Sequence, residues 1–227
     1  MSMAIALSPV TTIAVVGGGE FPVRRIYCVG RNYAAHAREM GADPDREPPF
    51  FFMKPADAIV PSESVVPYPS KTQSYHHEIE LVVALGGGGR DIPPERALET
   101  VFGYAVGLDM TRRDLQDEAK AMRRPWDMSK GFDQSAPCAP ISPVSEVGHI
   151  SSGAIWLTVN GETRQKGDIS DLIWSVEDTI AFLSGLVELA QGDLIYTGTP
   201  DGVGAVVTGD RLDGHVDGLT DLRITVG

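Results

Sequence analysis

A chain of 227 residues has room for one large domain with a full core, or for one domain with a small appendage. Its formal net charge is −12 and no Lys/Arg block exceeds a few residues, which excludes an electrostatic nucleic-acid binder; an anionic ligand must be drawn in by a local cation or a metal. No apolar run approaches the roughly 20 residues of a membrane span, and the two cysteines, Cys28 and Cys138, are spaced for neither a disulfide framework nor a zinc site, as expected in a reducing cytoplasm.

The N-terminal "MSMAIALSPVTTIAVV" lacks a basic start and a cleavage site, and "TTIAVV" reads as a first strand rather than as part of a signal peptide. The turn "VVGGGEFP" leads to the strand "VRRIYCVG", where Cys28 is a small core residue. "RNYAAHAREMG", residues 31–41, suits a short alanine-rich helix ended by Gly41. "FFFMK" is a short strand, "PADAIVPSESVVPYPSKTQ" a proline-rich loop, and "EIELVVAL" a strand. "GGGGRDIPPERALETV" combines a flexible turn with a short helix, "FGYAVGLDM" is a strand, and "TRRDLQDEAKAM" is a helix starting at Thr111, with Asp114 in an imperfect capping box. The irregular "RRPWDMSKGFDQSAPCAPISP" places Cys138 in a loop; long polar loops of this kind are often functional. "AIWLTVNGETRQKG" is a hairpin turning at Asn160-Gly161, "SVEDTIAFLSGLVEL" an amphipathic helix capped by Ser175, and "GDLIYTGTPDGVGAVVTGDRL" returns to strands and turns. Strands outnumber helices without regular alternation, which argues against a doubly wound parallel sheet. The expected fold is α+β and mostly β, with residues 1–22 a short N-terminal segment packed on a main domain of residues 23–227.

In "SYHHEIELVV" the strand period of two points Glu78 and Glu80 to one face. An edge strand with two solvated glutamates would show the same pattern. The continuation "LVVAL", however, points to burial on both faces, and a third acid, Asp109, ends another strand. Carboxylates gathered in a low-dielectric pocket repel, and a divalent cation removes the repulsion. Oxygen donors suit Mg²⁺ or Mn²⁺. His76 and His77 leave open a zinc reading with one of them as a ligand or a ligand's partner, although no cysteine supports a closed structural site. His36 and Glu39, three apart, share a face if their segment is helical, as a catalytic dyad or a plain surface pair would.

Six segments, "YCVGRNYAAHAREMG", "FFFMKPADAIV", "HHEIELVVAL", "GLDMTRRDLQ", "PWDMSKGFD" and "YTGTPDGVG", together resemble the fumarylacetoacetate hydrolase family, in family order over most of the chain. The resemblance is nearest to its acylpyruvate hydrolase branch and the fumarylpyruvate hydrolases of gentisate breakdown. It implies a mixed β-sandwich roll like the fumarylacetoacetase C-terminal domain, with a few short helices. It also implies a cytoplasmic homodimer that hydrolyses the C–C bond of an anionic diketo acid, first of all fumarylpyruvate. Glu78, Glu80 and Asp109 would hold Mg²⁺ or Mn²⁺. His36 and Glu39, on a lid with Gly30 and Gly41 as hinges or simple helix punctuation, would activate water. Lys130 would be the catalytic lysine, and Arg31, Arg113, Gln116 and Thr199 would contact substrate. Arg112 rivals Arg113, because helical phase is uncertain by one residue, and Lys54 is a further anion contact. Arg123, Arg124 or Lys54 would meet the second carboxylate of a fumaryl arm.

The chemistry calls for such a set. A 2,4-diketo acid offers a carboxylate and a keto oxygen to one metal, which accepts the charge of the departing enolate, while a base activates water. The same machinery would serve oxaloacetate decarboxylation or keto–enol tautomerisation of a 2-keto acid. A dinucleotide site fails at Asp91, where a third glycine is needed, and no G-x-S-x-G elbow is present.

Overall fold

The structure, a computed structural model, describes residues 4–6, 8–33 and 48–227. His36, Glu39 and Gly41, and the expected helix from residue 34 onward, lie outside the described residues. The chain opens with a hairpin of β1 (Thr12–Ala14) and β2 (Glu20–Pro22), followed by β3 (Arg25–Gly30) and β4 (Phe50–Lys54). The expected proline-rich loop contains two strands, β5 (Ile59–Pro61) and β6 (Ser64–Val66). Each pairs in parallel at the edge of a different sheet, and the edge position lets β5 end on Pro61.

Next come β7 (Tyr75–His77), β8 (Ile79–Leu85), α1 (Pro94–Ala97), β9 (Val101–Leu108) and β10 (Thr111–Arg112). Helix α2 (Arg113–Ala121) starts two residues later than expected. Thr111 does not cap it: the residue pairs with His76 in a ladder and its hydroxyl accepts from Lys130 Nζ at 2.6 Å. After α3 (Asp127–Lys130), Cys138 proves to lie buried in β11 (Ala136–Cys138), not in a loop. Then follow β12 (Ser142–Pro143), α4 (Val144–Val147), β13 (Ala154–Val159) and β14 (Glu162–Asp168). The β13–β14 turn has positive φ at both Asn160 (53°) and Gly161 (82°), as a type I′ turn requires. In α5 (Val176–Leu186) the Ser175 side chain caps Asp178 N as expected. The chain closes with β15 (Asp193–Tyr196), β16 (Gly204–Val206), β17 (Arg211–Val216) and β18 (Leu222–Val226).

An eight-stranded sheet runs β4-β3-β15-β8-β9-β11-β5, with β12 also on β9; a five-stranded sheet runs β14-β13-β17-β18-β6, and a small one β10-β7-β16. All seven residues of β8 are buried in the middle of the large sheet, so it is no edge strand. Ile79, Leu81, Val83 and Leu85 share the main core with Ile155, Leu157, Leu212 and Val216 of the five-stranded sheet. On the opposite face, Val82 and Ala84 join Ile26, Cys28, Leu194 and Tyr196 in a second cluster, which also takes Ile13 and Phe21. Burial on both faces explains the continuous apolar run around Glu80. Among the described residues, no helix is long and apolar enough to cross a membrane.

His215 on β17 stacks on its cross-strand partner Trp156 at 4.8 Å. Its two ring nitrogens meet Asp221 (2.7 Å) and Asp217 (3.1 Å). Burial works to lower its pKa, but the hydrogen bonds to the two carboxylates outweigh that, so it is raised above 6.5. The stability it contributes is therefore full below the unfolded value and is lost as pH rises through the folded one. Solvent screening keeps the contribution below about 1 kcal/mol. His215→Gln should lower Tm at acidic pH and leave it nearly unchanged above about pH 8; thermal melts across that range check it.

Candidate metal centre and active site

Three acids from two strand ends converge. Glu78 sits at the junction of β7 and β8, Glu80 is the second residue of β8, and Asp109 follows β9, the antiparallel neighbour of β8. The Asp109 N–H donates to the Glu78 carbonyl at 2.9 Å, so the ladder that pairs the strands also sets the acids side by side. One carboxylate oxygen of each lies within 4.8 Å of the others, and all three residues are buried. Glu80 Oε2 accepts from Gly198 N at 2.9 Å. Burial, then Asp109, then Glu78 push the Glu80 carboxyl well above its ordinary range. Asp109 Oδ1 is buried and faces the Lys54 ammonium at 2.8 Å in an ion pair whose angles do not make a hydrogen bond. Three hard oxygen donors within reach of one another and their mutual repulsion fit a divalent cation.

Two buried lysines pair with the acids. Lys130, at the end of α3, donates to Glu78 Oε2 (2.8 Å) and Asp109 Oδ2 (2.6 Å). Burial works against its ammonium, yet Asp109 and Glu78 outweigh it and raise its pKa, so it stays charged. Lys54 Nζ lies 2.8 Å from Asp109 Oδ1 and donates to the carbonyls of Met110 (3.0 Å) and Lys130 (2.5 Å). Lys54 thus stands against Asp109 and is absent from the lining of the cavity that Lys130 and Glu78 share, a place that suits positioning the acid rather than the expected ligand contact. Gly30 lines that cavity. Paired with Phe50, it leaves room for that ring, which a Cβ would strike.

Arg113, the first residue of α2, donates to Glu78 Oε1 and to Gln116 Oε1. Arg112 turns away, its guanidinium 4.3 Å from the Phe132 ring centroid, so the choice between the two arginines falls on Arg113. Glu78, Glu80, Arg113, Gln116, Lys130, Thr199 and Arg31 line one small cavity with Phe50, Phe52 and Trp126. His76 and His77 are not part of the acid cluster: His76 Nε2 meets Ser74 Oγ (2.9 Å) and His77 Nδ1 meets Gln165 Oε1 (2.8 Å).

Sequence reading missed Lys120, which lines the same cavity, although the spacing 113, 116, 120 puts it on the helix face of Arg113 and Gln116. It missed Asn32, whose amide binds the Thr197 carbonyl (2.8 Å) and both backbone groups of Trp174. It missed Gln165, one polar residue in a polar strand. No local pattern marks either amide.

The family model described as fumarylacetoacetate (FAA) hydrolase C-terminal matches residues 25–227. The fumarylpyruvate hydrolase of a Ralstonia species is 46% identical over 190 residues, 83% of this chain and 98% of that one. The mitochondrial oxaloacetate tautomerase of Rattus norvegicus is 42% identical over 203 residues, 89% of this chain and 91% of that one. The crystal structure of fumarylpyruvate hydrolase from Pseudomonas aeruginosa, in complex with Mn²⁺ and pyruvate, superimposes with a TM-score of 0.97 at 56% identity, covering 99% of each chain.

Proposed function

The chain belongs to the fumarylacetoacetate hydrolase family, and from that premise we propose that it is a metal-dependent hydrolase of the C–C bond of an acylpyruvate, with fumarylpyruvate, split to fumarate and pyruvate, as its preferred substrate. The observation that carries the proposal is the buried triad of Glu78, Glu80 and Asp109, flanked by Lys130 and Arg113 in one cavity. Held by the three carboxylates, Mg²⁺ or Mn²⁺ supplies a Lewis acid for the electron pair released when the C–C bond breaks. Lys54, Lys130 and Arg113 already balance the three acids, so a metal-loaded pocket is net positive within a chain of net charge −12. That local sign draws in a dianionic diketo acid.

The remaining roles follow from position and chemistry. Arg113 and Gln116 orient the keto acid end, and Thr199 donates to its carboxylate. The Lys130 ammonium stabilises negative charge on the attacked carbonyl oxygen. His36 and Glu39 are assigned to take the proton of the attacking water on the strength of the family resemblance. Beside the cavity, and sharing Phe50, Phe52, Trp126 and Lys130 with it, lies a cleft of about 470 Å³ whose further lining includes Pro125 and Arg124. An aromatic slot with an arginine suits a flat conjugated arm ending in a carboxylate. Of the three cations offered for that arm, Lys54 is buried elsewhere and only Arg124 lines the cleft.

Purified protein with Mn²⁺, given fumarylpyruvate, acetylpyruvate and oxaloacetate in parallel, tests the proposal. Fumarylpyruvate should be split with the highest kcat/KM, and Arg124→Ala should raise its KM about 10-fold while sparing acetylpyruvate. Equal use of the two acylpyruvates removes the fumaryl preference. Keto–enol exchange of oxaloacetate without C–C hydrolysis would move the assignment to a tautomerase, the activity for which the 42%-identical relative is named; carbon dioxide release would move it to a decarboxylase.

A further inference from the structure

Gln165 is the one fully buried residue of β14, and a bulge puts it there. Val159 and Thr158 pair with Glu162 and Thr163, but Leu157 then pairs with Gln165, not Arg164. Opposed residues share a face, and Leu157 points into the core. An unbroken register would have turned Arg164 inward; the extra residue turns Arg164 out and Gln165 in.

The Gln165 amide has all four of its hydrogen-bonding places filled. Oε1 accepts from Ile79 N (3.0 Å) and from His77 Nδ1 (2.8 Å), while Nε2 donates to the Pro200 carbonyl (2.9 Å) and to Thr199 Oγ1 (2.8 Å). Two partners are backbone groups of fixed polarity. The Ile79 N–H can only donate and the Pro200 carbonyl can only accept, so the amide has a single orientation. Thr199 Oγ1 therefore receives a hydrogen bond through a lone pair and keeps its own proton. Thr199 is 2 % exposed and lines the cavity of the acid triad, and among the described residues nothing accepts that proton.

We propose that Gln165 is a positioning residue that makes the Thr199 hydroxyl an obligatory donor into the cavity, and so a recognition element for a ligand carboxylate. The proposal rests on the reading that a keto acid binds there. A carboxylate offers only acceptors. A hydroxyl turned with its lone pairs inward would repel it, and a donating one binds it. The same amide, through Ile79 N, grips the backbone between Glu78 and Glu80, so one side chain aligns the acids and the anion contact.

The test uses Gln165→Glu, which keeps side-chain length and an acceptor for Ile79 and His77, and Gln165→Met, which removes every polar contact at similar size. Each is combined with Thr199→Val. For variants that fold, by circular dichroism, the KM for an acylpyruvate and the calorimetric Kd of pyruvate on Mn²⁺-loaded protein should both rise roughly 10- to 100-fold, with kcat changing much less. In the Thr199→Val background, Gln165→Glu should add almost nothing. A Gln165 that only supports packing would lower Tm and act independently of Thr199. Wild-type affinity for pyruvate in both Gln165 variants, or effects that add in full to those of Thr199→Val, would overturn the proposal. If the wild type hydrolyses no acylpyruvate, the functional reading fails by itself, and the pyruvate Kd series still decides the role of Gln165.

Discussion

Glu80→Gln is expected to abolish tight Mn²⁺ binding and to lower acylpyruvate turnover on the order of 10³-fold, while leaving the metal-free protein at least as stable as the wild type. The reasoning turns on what surrounds Glu80. It is 1 % exposed beside Asp109 and Glu78, and the hydrogen bond it accepts from Gly198 N can be made equally by an amide oxygen. Without an ion, its negative charge is a liability in a low-dielectric pocket. The amide removes that repulsion, and each 1 kcal/mol so gained raises Tm by about 2–4 °C in a chain of this size. With the charge goes a ligand of the dication. Calorimetric Mn²⁺ titration and melts with and without metal check both halves. A variant that binds Mn²⁺ like the wild type would remove the acid triad from the metal account.

Lys130→Met should do the opposite to metal-free stability. Lys130 donates to Glu78, Asp109 and Thr111 while 2 % exposed, so its loss leaves buried carboxylates short of a counter-charge. Breaking a buried ion pair from one side costs about 3–5 kcal/mol. A dication restores the missing positive charge, so Mn²⁺ should raise the Tm of this variant more than that of the wild type. Turnover should still fall roughly 10²- to 10³-fold, the usual cost of one donor to a developing oxyanion. Equal Tm gains from Mn²⁺ in both proteins would show that Lys130 and the ion do not share the same acids.

Periodicity carried most of what was legible. Glu78 and Glu80 on one face, the Asn160-Gly161 hairpin and the Ser175 cap are local patterns, each readable within about a dozen residues. The proline-rich segment hid β5 and β6, because short edge strands tolerate proline and lack a period long enough to show. Thr111 looked like a cap because capping is a local rule, but a lysine 19 residues further on had claimed its hydroxyl.

The amino-acid order by itself determined a mostly β chain, the acid pair with a third acid ending another strand, and an anionic protein in need of a local cation. Only the tertiary structure decided that Lys54 stands against Asp109 and not in the cavity lining, that Arg113 and not Arg112 faces the acids, and that Gln165 reaches Ile79 across 86 residues. The reason is physical. A strand's facing is written in its neighbours two residues away, whereas the partner of a buried polar group is whichever chain segment the packed sheets bring within hydrogen-bonding distance.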